Sequence, residues 1–314
     1  MIMNYAIDFI GSHQVEKPKV QLSFEELVNT FISNKDLRPS SVKSYLSSFA
    51  QFGIYLKSRD ITLATERDIK EFKDHLTNKK LSTFTVISHL SAIKSFFSFL
   101  AARNLYPDIA KDIKVPKKPR GFMRDALTKN QASQLIKSAS GDDIISKRDS
   151  AIINILLRCG LRSIEIIRAD IKDVEQSNGK PILRVHGKGR DCKDEFVVLT
   201  EDALASINAY ITLRGKCKVE EPLFASHGNR NNCGRLTTRS IRRMVKEYMK
   251  IIGVSSDRMT CHSLRHTFAT LALANNAPLL AVKEAMRHAS INTTTIYTHM
   301  SDRLDNGAEH YIDI

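Results

Sequence analysis

The stretch TCHSLRH, residues 260–266, carries side chains that bind anions and transfer protons. On a helix, His262 and His266 lie one turn apart with Arg265 beside them, because residues three and four apart are neighbours. Histidines at this spacing also bind zinc, but the glutamate of a zinc peptidase motif is missing and Arg265 would repel a divalent cation. No carboxylate within the stretch neutralises the arginine. It is therefore either part of an anion site or a partly buried helix whose polar groups bond locally.

Three further segments carry groups of the same kind. In CGLRSIE, Arg162 follows a helix end, where a long cation can point into a cleft. In HGKGRDC, Lys188 lies at a hairpin tip between two glycines, whose backbone freedom allows close approach to a ligand. MRHASINTTTIYTH adds His288 and Tyr297. Each fragment alone is weak because such short patterns occur by chance, so only their combination indicates a site.

Hydrophobic periodicity predicts the elements that position these groups. Residues 23 to about 110 are helical throughout. The first helix begins with a capping box in SFEEL, where Ser23 and Glu26 bond to each other's backbone amides. Four amphipathic helices joined by short connections predict a compact bundle, which we assign to residues 1–115.

A basic connector follows the bundle. Residues 114–125, KVPKKPRGFMRD, contain two prolines, one glycine and five lysines or arginines. Proline removes helical hydrogen bonds and stiffens the chain, so we predict a linker at residues 116–124. Its charge favours a position along an anionic partner, although a plain solvated linker has the same composition.

The remainder, residues 125–314, is predicted to form a second domain. Two β-rich runs, PILRVH and EFVVL, flank a loop rich in glycine and charge, and they predict an antiparallel hairpin with Lys188 at its tip. Helices precede and follow this hairpin. Gly160 is expected to end the helix before Arg162 in the left-handed conformation. The predicted fold class is mainly α with a small antiparallel β-sheet, in two domains.

The charge balance favours a polyanionic partner. The chain has 48 Lys and Arg against 34 Asp and Glu, a formal net charge of +14. Residues 1–120 carry 19 basic and 12 acidic side chains and residues 121–314 carry 29 and 22, so each part has an excess of seven. A field of this sign concentrates nucleic acid around a protein, and its even distribution indicates a partner that both parts contact.

Cysteine usage and hydropathy restrict the location. The five cysteines are scattered, odd in number and without a C-x-x-C pair, which argues against a disulfide framework and a zinc site. The first residues lack a basic region followed by a long apolar run, and nowhere do 18 apolar residues run together. The sequence therefore predicts a cytoplasmic protein that is neither secreted nor membrane-spanning.

Taken in order, the motifs resemble those of the tyrosine recombinase (phage integrase) family. G-L-R-x-x-E, a hairpin with G-K-G, H-x-L-R-H and R-H-x-S-x-x-T-T-x-x-Y-T-H follow one another over essentially the whole of residues 125–300. The bundle resembles the family's SAM-like core-DNA-binding domain by layout more than by motif, and the second domain resembles the catalytic domain. The two-domain layout is similar to the simple Xer-like branch.

The resemblance implies six catalytic residues, with no metal and no other cofactor. Arginines and histidines stabilise negative charge on the phosphate in the transition state, a lysine protonates the departing 5′ oxygen, and a tyrosine is the nucleophile. An unperturbed phenol is only about one part in a thousand ionised at pH 7, and we expect the two arginines and the nearby imidazoles to offset this handicap. The six are Arg162, Lys188, His262, Arg265, His288 and Tyr297.

Other residues are given supporting roles. Glu165, one turn beyond Arg162, is expected to fix geometry without reacting. His266 is expected to point away from the pocket into a packing or tail-anchoring role, with a catalytic role as the less favoured alternative. Lys180 and Lys193 lie off the hairpin tip and rank below Lys188 as proton donors. The candidate DNA contacts are Lys43, Lys117, Lys118, Arg120, Arg239, Arg242 and Arg243.

The resemblance implies site-specific recombination of double-stranded DNA, in integration, excision or dimer resolution, by a homotetramer or a heterotetramer with a related recombinase. The apolar end of the chain either docks on a neighbouring protomer or frays. A type IB topoisomerase uses the same constellation but rejoins the same strand. A DNA-binding regulator on this scaffold would lack one of the six residues, and a metal-dependent nuclease would need a carboxylate cluster that the sequence does not contain.

Overall fold

The computed structural model describes residues 23–118, 125–186, 192–228, 232–254, 256 and 258–297. The chain divides into two compact units between Arg120 and Gly121. The first unit is helical, and the second combines helices with one small sheet. The predicted fold class, mainly α with a small antiparallel β-sheet, is confirmed. The domain bounds and the linker at residues 116–124 stay predictions.

Four helices make up the described part of the first unit, residues 23–118. The capping box predicted at its start is present, since Ser23 N donates to Glu26 Oε2 over 2.7 Å and Ser23 Oγ accepts from the Glu26 amide. Proline opens the second helix because the first turn needs no amide donor. The helices are α1 Phe24–Ser33, α2 Pro39–Ser58, α3 Glu66–Asn78 and α4 Thr83–Ala102.

Aromatic side chains fill the core of this bundle. Phe31 is fully buried and meets Phe49, Phe96 and Phe99 edge to face, with ring centroids 5.4, 5.7 and 5.2 Å apart. Edge-to-face pairs stabilise a core beyond the area that they bury, because the positive ring edge meets the negative ring face. The three partners come from α2 and α4, so these contacts join three helices.

Helix α4 is long and apolar enough to cross a membrane by composition alone. Half of this apolar stretch is buried inside the unit, however, as is usual for a core helix of a globular bundle. The other described helices do not meet the same length and hydropathy criteria.

The second unit is built around a buried helix. Its helices are α5 Lys129–Ser138, α6 Ile144–Cys159, α7 Ser163–Arg168, α8 Glu201–Arg214, α9 Thr238–Ile251, α10 Cys261–Ala274 and α11 Leu279–Ala285. Helix α6 packs against α5, α8 and α10, and Ile152 and Leu156 on it are fully buried. Asp143 caps α6 by accepting hydrogen bonds from the amides of Ile145 and Ser146.

Gly160 ends α6 in the left-handed conformation, as predicted, with φ of 60°. A Cβ atom at this position would lie 2.5 Å from the Phe268 ring on α10. Glycine is therefore required twice, for the backbone angle and for the close approach of α10. The turn directs Arg162, two residues on, to the start of α7.

One antiparallel sheet has the order β1-β2-β3, with strands β1 Val174–Ser177, β2 Lys180–Val185 and β3 Glu195–Val198. Strands β2 and β3 form the predicted hairpin, with Val185 opposite Glu195. Strand β1 was not predicted although the sequence contains its signal. Asn178 and Gly179 have φ of 50° and 72°, the left-handed pair that a tight hairpin turn requires.

Candidate active site

The turn after α11 collects two of the predicted cations. Arg265 donates from Nη2 to the carbonyl oxygen of Met286 and from Nη1 to that of Gly160. Arg162 donates from Nη2 to the carbonyl oxygens of Met286 and Arg287, over 3.3 and 3.0 Å. Carbonyl groups at a helix end lack intrahelical donors, and the helix dipole favours cations there. Backbone oxygens thus bring both guanidinium groups to one point.

Glu165 is the acidic side chain of this cluster, with only 3% of it exposed. Its Oε1 accepts from Arg162 Nη1 over 2.7 Å, and its Oε2 accepts from Arg287 Nη2 over 2.6 Å. Burial raises the pKa of Glu165, but the charge of Arg287, the hydrogen bond from the Arg162 amide and the charge of Arg162 outweigh it. The pKa is therefore below its ordinary value. The carboxylate is charged at neutral pH and orients two guanidinium groups.

Arg265 is buried among charges of its own sign. Burial, followed by the charge of Arg162, lowers the pKa of Arg265 to about 9, although Glu165 acts in the opposite direction. The guanidinium is still a cation at pH 7. An anion that enters the cluster would replace repulsion between arginines by attraction, so the cluster favours an anionic ligand.

His288 follows the cation cluster and is held by Thr294, whose Oγ1 lies 2.9 Å from its Nδ1. Burial and then the charges of Arg265 and Arg162 lower the pKa of His288 to about 4. The imidazole is therefore neutral at pH 7, with one nitrogen that donates and one that accepts. In the free chain it is a hydrogen-bonding group and not a further cation.

Tyr297 ends a short 3₁₀ turn and is 3% exposed. Its ring stacks on that of His288, with centroids 6.4 Å apart and planes at 9°. Burial raises the pKa of Tyr297 to about 12, and the opposing effects of Arg265 and Arg162 are smaller. The expectation that arginines offset the handicap of the phenol is therefore wrong for the free chain, because desolvation of the phenolate outweighs their attraction.

His266 contacts Tyr297 directly, since its Nδ1 lies 2.6 Å from the tyrosine hydroxyl oxygen. The prediction that His266 points away from the pocket is therefore wrong. Successive helical residues do point in different directions, but the 3₁₀ turn crosses α10 on the side of His266, and the two ring centroids are 5.4 Å apart. Helical spacing alone does not show which face of α10 the turn meets.

The remaining predicted catalytic residues are His262 and the candidate lysines. His262 is half-buried in the first turn of α10, three residues before Arg265. Lys188 lies outside the described residues. Lys193 forms ion pairs with Asp170, at 2.7 Å, and with Asp173, whereas Lys180 is exposed. The catalytic roles assigned from the sequence stay predictions.

The candidate DNA contacts that the structure describes are exposed. On α9, the buried side chains Ile241 and Val245 face the core, which turns the neighbouring arginines to the surface. Arg120 lies outside the described residues. The exposed residues are Lys43 in the first unit, Lys117 and Lys118 at its end, and Arg239, Arg242 and Arg243 on α9.

Sequence reasoning missed Arg287. Its side chain is 5% exposed and pairs with Glu165, and its own carbonyl oxygen accepts from Arg162. A sequence signal exists, namely an additional basic residue directly before His288. The signal was uninformative alone, because the partner Glu165 is more than a hundred residues away in the chain.

Among the described residues, no group of three His, Cys, Asp or Glu side chains is close enough to hold a metal ion. The acidic residue nearest to the cations, Glu165, is already bound by two arginines.

Family models match both units. The model described as phage integrase family matches residues 125–303, and the one described as phage integrase N-terminal SAM-like domain matches residues 24–104. Tyrosine recombinase XerC of Thermodesulfovibrio yellowstonii is 34% identical over 55% of this chain and 57% of that protein. Tyrosine recombinase XerD of Proteus mirabilis is 31% identical over 60% of this chain and 59% of that protein. The chain thus matches less than two thirds of the length of these relatives.

Solved structures match over most of the chain. The crystal structure of XerA recombinase is 26% identical and covers 93% of this chain and 99% of its own, with a TM-score of 0.51. That of XerH site-specific recombinase bound to palindromic difH substrate is 22% identical and covers 92% and 85%, with a TM-score of 0.70. The second likeness is one of fold.

Proposed function

This chain belongs to the phage integrase family of tyrosine recombinases, in its Xer-like branch, and we propose that it is a site-specific DNA recombinase. It cleaves and rejoins duplex DNA through a 3′-phosphotyrosyl intermediate on Tyr297. The observation that carries the proposal is the convergence of Arg162 and Arg265 on the carbonyl oxygen of Met286, with Tyr297 stacked on nearby His288. Attack at phosphorus needs such cations, an imidazole and a nucleophile in one place.

The cations supply the phosphate site. Among the described residues of this cluster, Arg162, Arg265 and Arg287 outnumber the carboxylates Glu165 and Glu195, and the scissile phosphate compensates the excess positive charge. Arginine forks donate parallel hydrogen bonds to phosphate oxygens, and the neutral imidazole of His288 adds a directed one. Loss of one such donor typically costs about 2.7–4 kcal/mol of transition-state stabilisation.

Tyr297 must lose its proton as the oxygen–phosphorus bond forms. With a pKa of about 12, the phenol is about one part in 10⁵ ionised at pH 7, a handicap of about 7 kcal/mol. His266 Nδ1 is within hydrogen-bonding distance and accepts that proton, while Lys188 gives one to the departing 5′ oxygen. In the reverse step, a 5′ hydroxyl attacks the phosphotyrosine, loses its proton to Lys188, and the leaving tyrosine oxygen recovers its proton from His266.

The proposed partner is double-stranded DNA with a specific target site. Support comes from the net charge of +14 shared by both units and from the structure of XerH with its difH substrate. Four protomers, all identical or including a related recombinase, exchange strands in two steps in the cytoplasm. The reaction needs no nucleotide cofactor, because the phosphotyrosyl bond retains the energy of the phosphodiester. It needs no metal, because fixed cationic side chains surround the phosphate. The proposed DNA contacts are Lys43, Lys117, Lys118, Arg120, Arg239, Arg242 and Arg243.

A type IB topoisomerase is the alternative with the same chemistry, and a DNA-binding regulator is the alternative without it. The curated relatives named above are tyrosine recombinases, which favours strand exchange over simple relaxation. The regulator is disfavoured because all six predicted catalytic residues are present in the sequence.

A suicide substrate tests the chemistry. The substrate is a duplex that carries the target site and a nick beside the scissile phosphate. After cleavage the short fragment with the 5′ hydroxyl diffuses away, so the covalent intermediate cannot be reversed and accumulates. The reaction is run in EDTA to remove divalent metal ions. We expect the unaltered protein to form a protein–DNA adduct and Tyr297→Phe to form none. Tyr248→Phe, at a half-buried tyrosine on α9, is the matched control and is expected to form the adduct normally.

Two results would contradict the proposal: no adduct from the unaltered protein, or an equal yield from Tyr297→Phe. The products on a supercoiled plasmid with two target sites then separate the enzymatic alternatives. Excised or linked circles indicate recombination, whereas relaxed plasmid without exchange indicates a topoisomerase.

A further inference from the structure

Arg287 occupies an unusual position for an arginine. It closes α11 in the left-handed region, with φ of 51°, a conformation that glycine adopts with less strain. Yet its side chain is 5% exposed and lies among charged groups. A buried charge is costly unless it is paired, so its contacts must offset both the backbone strain and the desolvation.

The first contact of Arg287 joins it to the cation cluster. Nη2 donates to Glu165 Oε2 over 2.6 Å, while Glu165 Oε1 holds Arg162. Without Arg287, Arg162 would be the remaining ion-pair partner of the buried Glu165 carboxylate. The carboxylate would then neutralise the charge of Arg162. With Arg287 present, Glu165 is shared, and the charge of Arg162 remains available for an anion.

The second contact of Arg287 reaches the sheet. Its Nε lies 3.8 Å from Oε2 of Glu195, the first residue of β3. Both atoms are buried, and neither has a hydrogen-bond partner among the described residues. Glu195 lies opposite Val185 across the hairpin, so Arg287 is linked to the first residue pair of the β2–β3 ladder.

We propose that Arg287 is a positioning residue for DNA cleavage: its guanidinium, between Glu165 and Glu195, orients Arg162 and links it to the start of β3. The inference rests on the proposed function and extends it to a residue outside the predicted catalytic set.

Three substitutions separate the contributions of the charge, the guanidinium geometry and the backbone conformation of Arg287. Arg287→Gln removes the charge and keeps a polar side chain of similar length. Arg287→Lys keeps the charge but gathers all donors on one nitrogen, in place of the separate Nη2 and Nε that face Glu165 and Glu195. Arg287→Gly removes the side chain and relieves the left-handed backbone, so any loss of cleavage in this variant comes from the missing contacts.

The readout is the single-turnover rate of adduct formation on the nicked duplex at saturating protein, with DNA affinity and thermal unfolding measured in parallel. We expect Arg287→Gln and Arg287→Gly to cleave about 10- to 100-fold more slowly, since displaced reacting groups cost rates of this order. Arg287→Lys should recover part of the loss. DNA affinity should change less than about threefold, because Arg287 is buried and not a DNA contact.

A matched control measures the effect on cleavage of losing a buried, paired arginine elsewhere in the same unit. Arg214 has 4% of its side chain exposed and pairs with Glu221 at 2.5 Å, on α8 and the loop after it. Arg214→Gln should lower the unfolding temperature at least as much as Arg287→Gln while cleaving at the unaltered rate. Glu195→Gln, which keeps the arginine, should reproduce part of the cleavage defect, and the double variant with Arg287→Gln should be no slower than Arg287→Gln alone.

The inference is overturned if Arg287→Gln and Arg287→Gly cleave at the unaltered rate, or if Arg214→Gln loses cleavage to the same extent. It is also overturned if the effects of Arg287→Gln and Glu195→Gln on the cleavage rate are additive. These outcomes differ from failure of the proposed function, in which the unaltered protein itself forms no Tyr297-dependent adduct.

Discussion

The hydroxyl oxygen of Tyr297 lies 2.6 Å from Nδ1 of His266, and the tyrosine is almost completely buried. The proposed nucleophile is therefore neutral in the free chain and already in contact with the imidazole that we propose as its proton acceptor. Removal of the proton is the step that burial makes difficult, because burial raises the pKa of this phenol to about 12.

His266→Gln should slow cleavage about 100- to 10,000-fold at pH 7, the usual contribution of a general base, because the amide can accept a hydrogen bond but not a proton. The rate of this variant should rise about tenfold per pH unit between pH 7 and 9, since the ionised fraction of a phenol far below its pKa rises in that proportion. Single-turnover cleavage across this pH range is the measurement.

His227→Gln is the matched control for that variant. His227 Nε2 lies 3.0 Å from the hydroxyl of Tyr210, a second histidine–tyrosine contact in the same unit. Its loss should leave the cleavage rate and its pH profile unchanged. Normal cleavage by His266→Gln at pH 7 would rule out His266 as the acceptor.

The neutral state of His288 predicts an acid-sensitive stability. Its folded-state pKa, about 4, is below the ordinary value of 6.5, so the unfolded chain binds more protons between these pH values. The stabilising contribution is complete above about pH 6.5 and is lost as the pH falls through 4. We expect protonation of His288 to lower the free energy of unfolding by about 1–3 kcal/mol on acidification, after allowance for its partial exposure to solvent.

The measurement is the free energy of unfolding in urea from pH 7 to 4, for the unaltered protein and for His288→Asn. The difference between the two should diminish as the pH falls, because asparagine does not titrate. A constant difference over this range would show that His288 has the same proton affinity in the folded and unfolded chain.

The close approach of α6 and α10 predicts different effects of alanine at two left-handed glycines. Gly160→Ala and Gly179→Ala both place a side chain in a conformation that costs about 1–2 kcal/mol. Only at Gly160 does the added Cβ meet a ring, whereas nothing lies within 4 Å at Gly179. Overpacking should add about 1–3 kcal/mol to the destabilisation at Gly160.

Chemical denaturation of both variants checks this difference. Phe268→Leu combined with Gly160→Ala should recover part of the added loss, because the smaller side chain leaves room for the Cβ. Equal destabilisation by the two alanine substitutions would contradict the role of Phe268.

The exposed arginines of α9 predict a salt-dependent contribution to DNA binding. Arg242→Gln with Arg243→Gln should weaken binding similarly on specific and unrelated duplexes. The slope of log affinity against log salt should become shallower by about two, since each phosphate contact contributes about 0.9. Titrations at several salt concentrations provide both quantities.

Lys137→Gln is the control for the double variant, since it removes an exposed charge from α5 that is not assigned to DNA. Its salt slope should equal that of the unaltered protein. An unchanged slope in the α9 double variant would remove these arginines from the proposed interface.

Local patterns in the sequence predicted much of the fold. The capping box at Ser23, the end of α6 at Gly160 and the hairpin of β2 and β3 depend on residues within a few positions of one another, and all three are confirmed. Strand β1 was missed although its turn signal, Asn178 and Gly179, is equally local. The family was also evident from the sequence, because its motifs are short and ordered along the chain.

Contacts between distant segments were not predictable in this way. TCHSLRH has no acidic residue, yet Glu165 from α7 lies close enough to influence the charge of Arg265. Arg287 carried no recognisable signal because its carboxylate partners come from α7 and β3. The orientation of His266 toward Tyr297 depends on where a 3₁₀ turn crosses α10.

The sequence by itself determined the kinds of groups available, namely two arginines, a lysine, two histidines and a tyrosine in a recognisable order, together with most of the elements around them. Only the tertiary structure decided the protonation states of His288, Tyr297 and Glu165. Burial makes His288 neutral and raises the pKa of Tyr297 to about 12, whereas shared pairing with arginines keeps Glu165 charged. The reason is that desolvation and charge–charge interactions depend on distances across the fold, which residue spacing along the chain does not contain.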